Sequence, residues 1–290
     1  RRFRGQWVRT LGDEAFAGGG ALPALMGVVN VTPDSFFPKS RSSTIDEAVT
    51  NGLRMLDEGA SIIDIGGEST RPGAEPVDSE SEAQRVLPVI EGILKARPDA
   101  FISIDTMKPD VARKAVAIGC KMINDVSGAE NPQMMSLVAS TNVWLCVMHK
   151  KGDPGTMQNY PVYGNVVTEV GDYLASRVAD LESNGVEPSK ILIDPGIGFG
   201  KTLDHNLQLL RIGKDLIPRD DVRILWGVSR KRMFADLLGR EMPSERLEGT
   251  LGVAATAFMM GIDVLRVHDV KEHNDLLTSM LHCSKDVVIK

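Results

Sequence analysis

Eight short apolar runs, spread along the whole chain, constrain the fold more than any other feature of the sequence. Each is rich in Val, Ile or Leu, lacks the alternation of a half-exposed strand, and ends in polar residues or glycine. The runs span residues 24–30, 61–67, 101–106, 121–128, 142–149, 191–196, 224–229 and 263–269. Helix-like stretches lie between most of them, at 44–59, 79–98, 109–118, 164–184, 244–261 and 269–282.

This order of elements predicts an α/β fold, and within that class a single (β/α)8 TIM barrel. Strands that lack alternation and are separated by helices form a parallel sheet that is buried on both faces. Eight such strands close a barrel, and 290 residues is a suitable length for one such domain. A doubly wound open sheet is the structural alternative. We expect residues 1–23 to form an N-terminal lead-in and residues 24–290 to form the barrel.

Composition argues against several classes of partner. The formal net charge of −6 is opposite in sign to that of a nucleic-acid-binding surface. No run approaches the roughly 18 apolar residues of a membrane span, and the first 23 residues hold no apolar segment of signal-peptide length. Cys120, Cys146 and Cys283 form neither a CxxC pair nor a zinc spacing, which is typical of reduced thiols. We therefore expect a cytoplasmic protein with no membrane or nucleic-acid partner.

Polar side chains occupy the ends of the apolar runs, where a barrel of this type builds its active site. One group offers hydrogen-bond acceptors, an amide and a positive charge, which suits a flat heterocycle with a 2-amino-4-oxo edge. Its members are Asp105, Asn124, Asp194 and Lys231. A second group offers donors and positive charge, which suits a phosphate or diphosphate. Its members are Asn30, Thr70, Arg71, Arg266 and His268.

These groups predict a divided site, with a polar ring deep in the barrel and an anion clamp at its mouth. Other acids in the same regions have a simpler interpretation. Asp64, Asp125 and Asp269 are interpreted as local cap or turn residues.

The segment DPGIGFGKT, residues 194–202, resembles a phosphate-binding loop but does not match its pattern. The pattern GxxxxGK[ST] requires glycine at position 195, which is proline in this chain. The segment is better interpreted as a loop between a strand and a helix, whose glycines let the backbone approach a ligand. Phe199 either covers that ligand or packs in the core.

Eight motifs occur in register and cover nearly the whole chain from residue 24 to 270. They are NVTPDSF (30–36), DIGGESTRPG (64–73), SIDTMKP (103–109), INDVSG (123–128), VMHKKGDPGTMQ (147–158), DPGIGFGK (194–201), GVSRK (227–231) and IDVLRVHDV (262–270). Together they resemble the dihydropteroate synthase family of pterin-binding TIM barrels.

The resemblance implies a transferase of folate biosynthesis. In that reaction the amine of 4-aminobenzoate displaces diphosphate from 6-hydroxymethyl-7,8-dihydropterin diphosphate and gives 7,8-dihydropteroate. The resemblance also implies a homodimer and Mg²⁺ as the cofactor. An aryl amine is already nucleophilic at neutral pH, so the difficult step is loss of diphosphate, which we expect to be dissociative and assisted by cationic donors.

The resemblance also assigns residues by motif. Those implied to bind the pterin are Asp105, Asn124, Asp194, Lys231, Met148, Phe199 and Gly227. Those implied to bind diphosphate are Asn30, Thr70, Arg71, Arg266 and His268, with Mg²⁺ at Asn30. Those implied to bind 4-aminobenzoate are Thr70, Arg71, Pro72, Phe199, Lys231, Ser229 and Phe36, with the carboxylate at Ser229 and the helix start after it. The implied catalytic residues are Asp105, Asp194, Lys231 and Arg71.

The chain departs from the family pattern just after Phe36. The family continues with Ser-Asp-Gly-Gly, whereas this chain has Phe-Pro-Lys-Ser at 37–40. We expect residues 32–43 to act as a mobile lid in which Phe36 covers the 4-aminobenzoate. Pro38 replaces an acid of this lid and stiffens it, so any role of a lid acid falls to Asp34 or is absent.

Two other functions share parts of this pattern. A methyltetrahydrofolate–corrinoid methyltransferase would use the same acids and amide for a pterin, but would not need the anion clamp of Thr70, Arg71, Arg266 and His268. A barrel that only binds a pterin would form no dihydropteroate at any substrate concentration.

Overall fold

The protein was described from a computed structural model, which covers residues 22–31, 41–68, 76–152 and 161–283. Eight parallel strands pair in chain order, and β1 pairs with β8 to close a barrel. They are β1 (Ala24–Asn30), β2 (Ile62–Gly66), β3 (Ile102–Asp105), β4 (Met122–Asp125), β5 (Trp144–Met148), β6 (Ile191–Asp194), β7 (Arg223–Trp226) and β8 (Val264–Val267). The predicted (β/α)8 barrel is confirmed, and the open-sheet alternative is wrong.

Helices surround the barrel within the described part of the chain. They are α1 (Arg41–Asp57), α2 (Ser79–Ala96), α3 (Pro109–Ala117), α4 (Pro132–Thr141), α5 (Val166–Ser183), α6 (Leu203–Ile212), α7 (Met233–Leu238), α8 (Leu247–Met259) and α9 (Val270–Cys283). Short 3-10 turns lie at Pro188–Lys190, Gly213–Leu216 and Pro243–Glu245.

Three of the helices, α4, α6 and α7, were not predicted from the sequence. Each is ten residues or shorter, so the apolar period repeats too few times to stand out. Local caps define the starts of two of them. The Asn131 side chain accepts a hydrogen bond from the Gln133 amide at α4, and Thr202 and His205 form a reciprocal capping box at α6.

Apolar side chains fill the part of the barrel interior nearest the start of the strands. We call this cluster the barrel floor: Ala24, Met26, Ile62, Phe101, Met122, Trp144, Cys146, Leu192, Leu225 and Val264. A second, larger cluster lies between the strands and the surrounding helices. The strands are therefore buried on both faces, which explains why their sequences lack alternation. Among the described helices, none is long and apolar enough to span a membrane.

Candidate active site

Above the floor, the inward-facing positions become polar. Side chains two residues apart on a strand face the same side, so Ile62, Met122, Leu192 and Val264 of the floor are each followed, two positions later, by a polar residue. We call these four residues, together with Asp105 at the end of β3, the polar layer: Asp64, Asp105, Asn124, Asp194 and Arg266. It lies at the carboxyl ends of the strands, where barrels of this type hold their active sites.

Arg266 bonds to two other members of the polar layer, and one of these, Asp64, also bonds to a third. Its Nε donates a hydrogen bond to Asp64 Oδ2 over 2.6 Å, and its Nη2 donates one to Asp105 Oδ2 over 2.7 Å. The Asn124 side-chain amide donates to the same Asp64 oxygen over 3.0 Å. Burial alone would lower the pKa of Arg266, but the two carboxylates hold that pKa above its usual value. Asp64 and Asp105 therefore share one guanidinium as their counter-charge.

Arg266 had been predicted in the anion clamp at the mouth, and the structure places its guanidinium on the acids of the inner group. Burial raises the pKa of Asp105, the Arg266 charge opposes that rise, and the neighbouring Asp64 adds to it. The division into two separate zones is therefore incomplete, because Arg266 joins them.

The interpretation of Asp64 as a local cap or turn residue is wrong. Asp64 is fully buried within β2 and bonds to residues on β4 and β8. Its other oxygen, Oδ1, has no hydrogen-bond partner among the described residues. The sequence held a usable signal, since an acid inside an apolar strand is costly unless it is paired.

Asp125 and Asp269, the other two acids interpreted as local residues, differ from each other. Asp125 is a turn residue as predicted, because its Oδ1 accepts hydrogen bonds from the Ser127 amide over 2.7 Å and the Ser127 hydroxyl over 2.6 Å. Asp269 instead forms a bidentate ion pair with Arg230, at 2.8 Å to Nε and 2.5 Å to Nη2. Asp269 also directly precedes α9, and its carbonyl accepts a hydrogen bond from the His273 amide over 3.2 Å, so the cap position is confirmed for the backbone. The side chain, in contrast, has its partner in the segment after β7.

Asp194 and Lys231 form the second charged pair of the site. The Asp194 Oδ1 accepts a hydrogen bond from the Gly196 amide over 2.7 Å. Burial raises the pKa of Asp194, and the charge of Lys231 and the Gly196 bond oppose that rise. Burial also lowers the pKa of Lys231 to about 8, against the attraction of Asp194. Gly227 lies beside both, and a Cβ there would be 3.6 Å from Asp194 Oδ2.

Phe199 lies against Lys231 instead of in the core. The Lys231 Nζ is 4.5 Å from the centre of the Phe199 ring and donates a hydrogen bond to the Ile197 carbonyl over 2.5 Å. Phe199 is only partly buried, so the core-packing interpretation is wrong. A cation over an aromatic face is stabilised by the ring quadrupole. The loop after β6 therefore fixes the position of the Lys231 amine.

The glycines of residues 195–202 make room for a neighbouring loop. A Cβ at Gly196 (φ +68) would be 1.8 Å from the His149 carbonyl oxygen, and one at Gly200 (φ +63) would be 2.2 Å from the Lys151 carbonyl oxygen. Both glycines also have a left-handed backbone, which other residues adopt at a cost. The sequence predicts that these glycines let the backbone approach a ligand. At Gly196 and Gly200 the backbone approaches the loop after β5 instead.

Residues predicted at the mouth are only partly described. Asn30 is exposed at the end of β1. Ser229 is buried, and its Oγ is 2.9 Å from His268 Nδ1 and accepts a hydrogen bond from the His268 amide over 3.1 Å. Met148 is buried at the end of β5, facing the site with Asp194 as its neighbour in the sheet.

Part of the predicted site lies outside the described residues. This applies to Thr70, Arg71, Pro72 and Phe36, and to Asp34 and Pro38 in the predicted lid. The lid prediction extended to residue 43, and residues 41–43 are helical, at the start of α1. The helix after Ser229 starts at Met233.

Comparison with known proteins agrees with this arrangement. Residues 26–268 match the family described as pterin binding enzyme. Dihydropteroate synthase of Escherichia coli (strain K12) is 44% identical over 251 residues, which cover 86% of this chain and 88% of that protein.

Two solved structures of the Xanthomonas albilineans dihydropteroate synthase are also similar. The one with 4-aminobenzoic acid has a TM-score of 0.84 and 43% identity and covers 92% of this chain and 94% of that chain. The complex with 7,8-dihydropteroate has a TM-score of 0.82 and 40% identity and covers 92% of this chain and 95% of that chain. The chain belongs to the pterin-binding enzymes and, within them, to the dihydropteroate synthases, which are transferases of folate synthesis.

Proposed function

We propose that this dihydropteroate synthase condenses 6-hydroxymethyl-7,8-dihydropterin diphosphate with 4-aminobenzoate by dissociative loss of diphosphate within the polar layer. The observation that carries the proposal is the set of buried acids at the carboxyl ends of the strands, each compensated by a cation. A neutral amine needs little activation, so the site must mainly stabilise charge that develops as the C–O bond breaks.

Pterin recognition is proposed for Asp105, Asn124, Asp194 and Lys231. The carboxylates can accept hydrogen bonds from the ring N–H groups and the 2-amino group, and the Lys231 ammonium can donate to the 4-oxo group. Ionised acids also favour positive charge on the pterin methylene as diphosphate leaves. Met148, Gly227 and Phe199 would line the ring, which is supported by their positions beside Asp194 and Lys231.

Arg266 is proposed to serve both halves of the substrate. In the described structure one of its N–H groups is held by Asp105 and another by Asp64. N–H groups of the pterin can replace Arg266 as hydrogen-bond donors to the Asp105 carboxylate. Asp64 then holds the Arg266 guanidinium, and the N–H groups of Arg266 that are released from Asp105 bind diphosphate. Asn30 and His268 are proposed partners of the diphosphate, together with Thr70 and Arg71. The carboxylate of 4-aminobenzoate is proposed to bind near Ser229, with Pro72 and Phe36 as further contacts.

Magnesium is proposed to arrive with the diphosphate. Among the described residues, no group of three or more His, Cys, Asp or Glu side chains could hold a metal ion. This donor set fits Mg²⁺, which keeps several waters and commonly takes one or two protein oxygens plus substrate phosphates. The exposed amide oxygen of Asn30 would be such a ligand. The ion would neutralise charge on the departing diphosphate.

The homodimer and the cytoplasmic location remain proposals. Exposed apolar side chains around α7 and the end of α8 support a contact between two copies; they are Leu237, Leu238, Met242 and Met259. Sedimentation velocity of the wild-type protein and of a Leu238→Glu variant should show a dimer and a shift toward monomer. The cysteines Cys120, Cys146 and Cys283 are unpaired, which is typical of a reducing compartment.

Product formation from the two substrates with Mg²⁺ tests the proposed function. We expect wild-type protein to form 7,8-dihydropteroate and diphosphate in equal amounts. Asp194→Asn and Lys231→Ala should stay folded and lose activity about 100-fold or more. Inactive, folded wild-type protein would contradict the reaction, and full activity in both variants would contradict the site. An exchange of labelled diphosphate into the pterin substrate without 4-aminobenzoate would support the dissociative step.

A further inference from the structure

Lys201 and His149 form a buried contact that no step proposed above uses. Lys201 is 3% exposed and His149 is 7% exposed. The Lys201 Nζ lies 2.9 Å from His149 Nδ1. Lysine is almost never this buried without a specific partner. Lys201 lies in the segment that resembles a phosphate-binding loop and His149 ends the fifth apolar run, and neither residue has a predicted role.

The geometry around the Lys201 amine fits an ammonium ion. Besides His149 Nδ1, the amine faces the Phe199 carbonyl at 3.1 Å and the His149 carbonyl at 3.4 Å. An ammonium has three donors and no acceptor, so three acceptors satisfy it. This arrangement requires a neutral His149 with its proton on Nε2. Burial and the Lys201 charge lower the pKa of His149 to about 3, which keeps the ring neutral.

The acceptors of Lys201 belong to two loops. His149 starts the loop after β5, and Phe199 lies in the loop after β6. Gly196 and Gly200 already bring these two backbones into contact, and the Tyr163 hydroxyl adds a 2.9 Å hydrogen bond to the Gly200 carbonyl. Lys201 is therefore a clamp between the loops. The clamped segment includes the Ile197 carbonyl and the Phe199 ring, both of which contact Lys231.

The charge of Lys201 also acts on Asp194. Asp194 is faced by Lys231 after β7, by Arg266 on β8, by the Cys146 thiol on β5, and by Lys201 itself. Lys201 in turn is faced by His149 and Lys151 after β5, by Asp194 and by Lys231. Burial lowers the pKa of Lys201 to about 7, Asp194 opposes that change, and the two lysines add to it.

We propose that Lys201 is a positioning residue for the condensation: its ammonium clamps the loop after β6 to the loop after β5 and helps to keep Asp194 ionised. It acts through Asp194, Phe199 and Lys231 without contacting either substrate. The inference rests on the roles proposed above for those three residues.

Steady-state kinetics of Lys201→Met tests the inference. The clamp predicts that kcat/KM falls about 10- to 100-fold, because small displacements of aligned groups are costly. The KM for 4-aminobenzoate should rise, since the family resemblance implies that Phe199 and Lys231 also contact that substrate. Loss of the Lys201 charge should make Asp194 easier to protonate. In the pH profile of kcat/KM for the pterin substrate, the acid limb should therefore move upward by roughly 0.5 to 1 pH unit. A purely structural role would lower activity without that movement.

Lys190→Met is the matched control. Lys190 precedes β6 at the opposite end of the same strand, and its Nζ donates a hydrogen bond to the Asn142 carbonyl over 3.0 Å. We expect its kinetics and its acid limb to equal those of the wild type. Thermal unfolding of both variants verifies that each is folded.

A second pair of variants tests the clamp if Lys201→Met does not fold. His149→Asn keeps an acceptor near the position of Nδ1, and His149→Leu removes it. We expect His149→Leu to lower kcat/KM about tenfold or more and His149→Asn to recover most of that loss.

Equal activity in His149→Leu and the wild type would overturn the clamp, as would a folded Lys201→Met variant with wild-type kcat/KM and acid limb. These outcomes differ from failure of the proposed function, in which the wild type itself forms no product.

Discussion

The barrel floor and the polar layer lie on the same strands, two to four residues apart, and they differ in almost every other respect. The floor is apolar and closely packed, as shown by Met122 and Leu192, which have no exposed surface. The polar layer holds three acids, an amide and a guanidinium, joined in part by hydrogen bonds. Burial stabilises the floor and raises the free energy of the charged layer. We expect substitutions in the floor to lower the free energy of unfolding and substitutions in the polar layer to lower activity. Four predictions test this difference.

Leu192→Ala should give the largest effect, and that effect should fall on stability. Removing a fully buried side chain leaves a cavity, so the free energy of unfolding should decrease by about 2–5 kcal/mol. The folded fraction should keep its kcat, because Leu192 lies below the polar layer. Urea unfolding measures the free energy of unfolding, and kinetics at low temperature measure the kcat of the folded fraction. Leu192→Met, which nearly conserves volume, is the control and should cost less than about 1.5 kcal/mol.

Asn124→Leu should act mainly on activity. The substitution removes the hydrogen bond that Asn124 donates to Asp64. It also removes one of the proposed pterin contacts. We expect kcat/KM for the pterin substrate to fall about 100-fold. The free energy of unfolding should decrease by about 1–3 kcal/mol, because Asp64 loses a hydrogen-bond donor. Met122→Leu, two residues earlier on the same strand, serves as the control. A loss of activity as large in the control would show that the two regions are not distinct.

Asp64→Asn should give a smaller loss of activity. The amide has nearly the same shape but no charge, so Arg266 is held less firmly and Asp105 becomes its main ionic partner. We expect kcat/KM to fall about tenfold. Titration of the protein with the pterin substrate and with diphosphate alone shows which ligand is affected. Unchanged affinity for both would contradict the role of Asp64 in holding Arg266.

The pH dependence of stability should give the smallest effect. Burial raises the folded-state pKa of Asp194, so the folded protein binds a proton there more tightly than the unfolded chain does. The stability from this group is present below the unfolded pKa and is lost as pH rises through the folded pKa. Urea unfolding of wild type and Asp194→Asn between pH 4 and 8 isolates it. The wild type should become less stable relative to the variant as pH rises; the opposite trend would contradict the sign.

The fold could be predicted from the sequence because the signal is repeated. Eight apolar runs in a fixed order give several independent indications of the same barrel, so errors at individual helices do not change the result. The inner group of Asp105, Asn124 and Asp194 was likewise predicted to converge, because the ends of parallel strands meet at one end of the barrel. The structure places these residues together in the polar layer.

The errors concern partners that are distant in sequence. Asp64 was interpreted as a local residue, yet its partner Arg266 is 202 positions away. The pairing depends on the closure of β1 against β8, which brings β2 and β8 to either side of one strand. The same reason applies to Lys201, whose clamp to His149 joins two loops from neighbouring strands.

The sequence by itself determined the order of strands, the inward positions that are polar, and the family of the chain. Each of these depends on periodicity or on short motifs, which are properties of neighbouring residues. Only the tertiary structure decided which buried charge is paired with which. Arg266 could have faced the mouth or the acids, and Lys201 could have been a surface residue. Pairing of buried charges is a property of three-dimensional distance and burial, because the energy of an ion pair depends on its separation and surroundings and on nothing encoded locally.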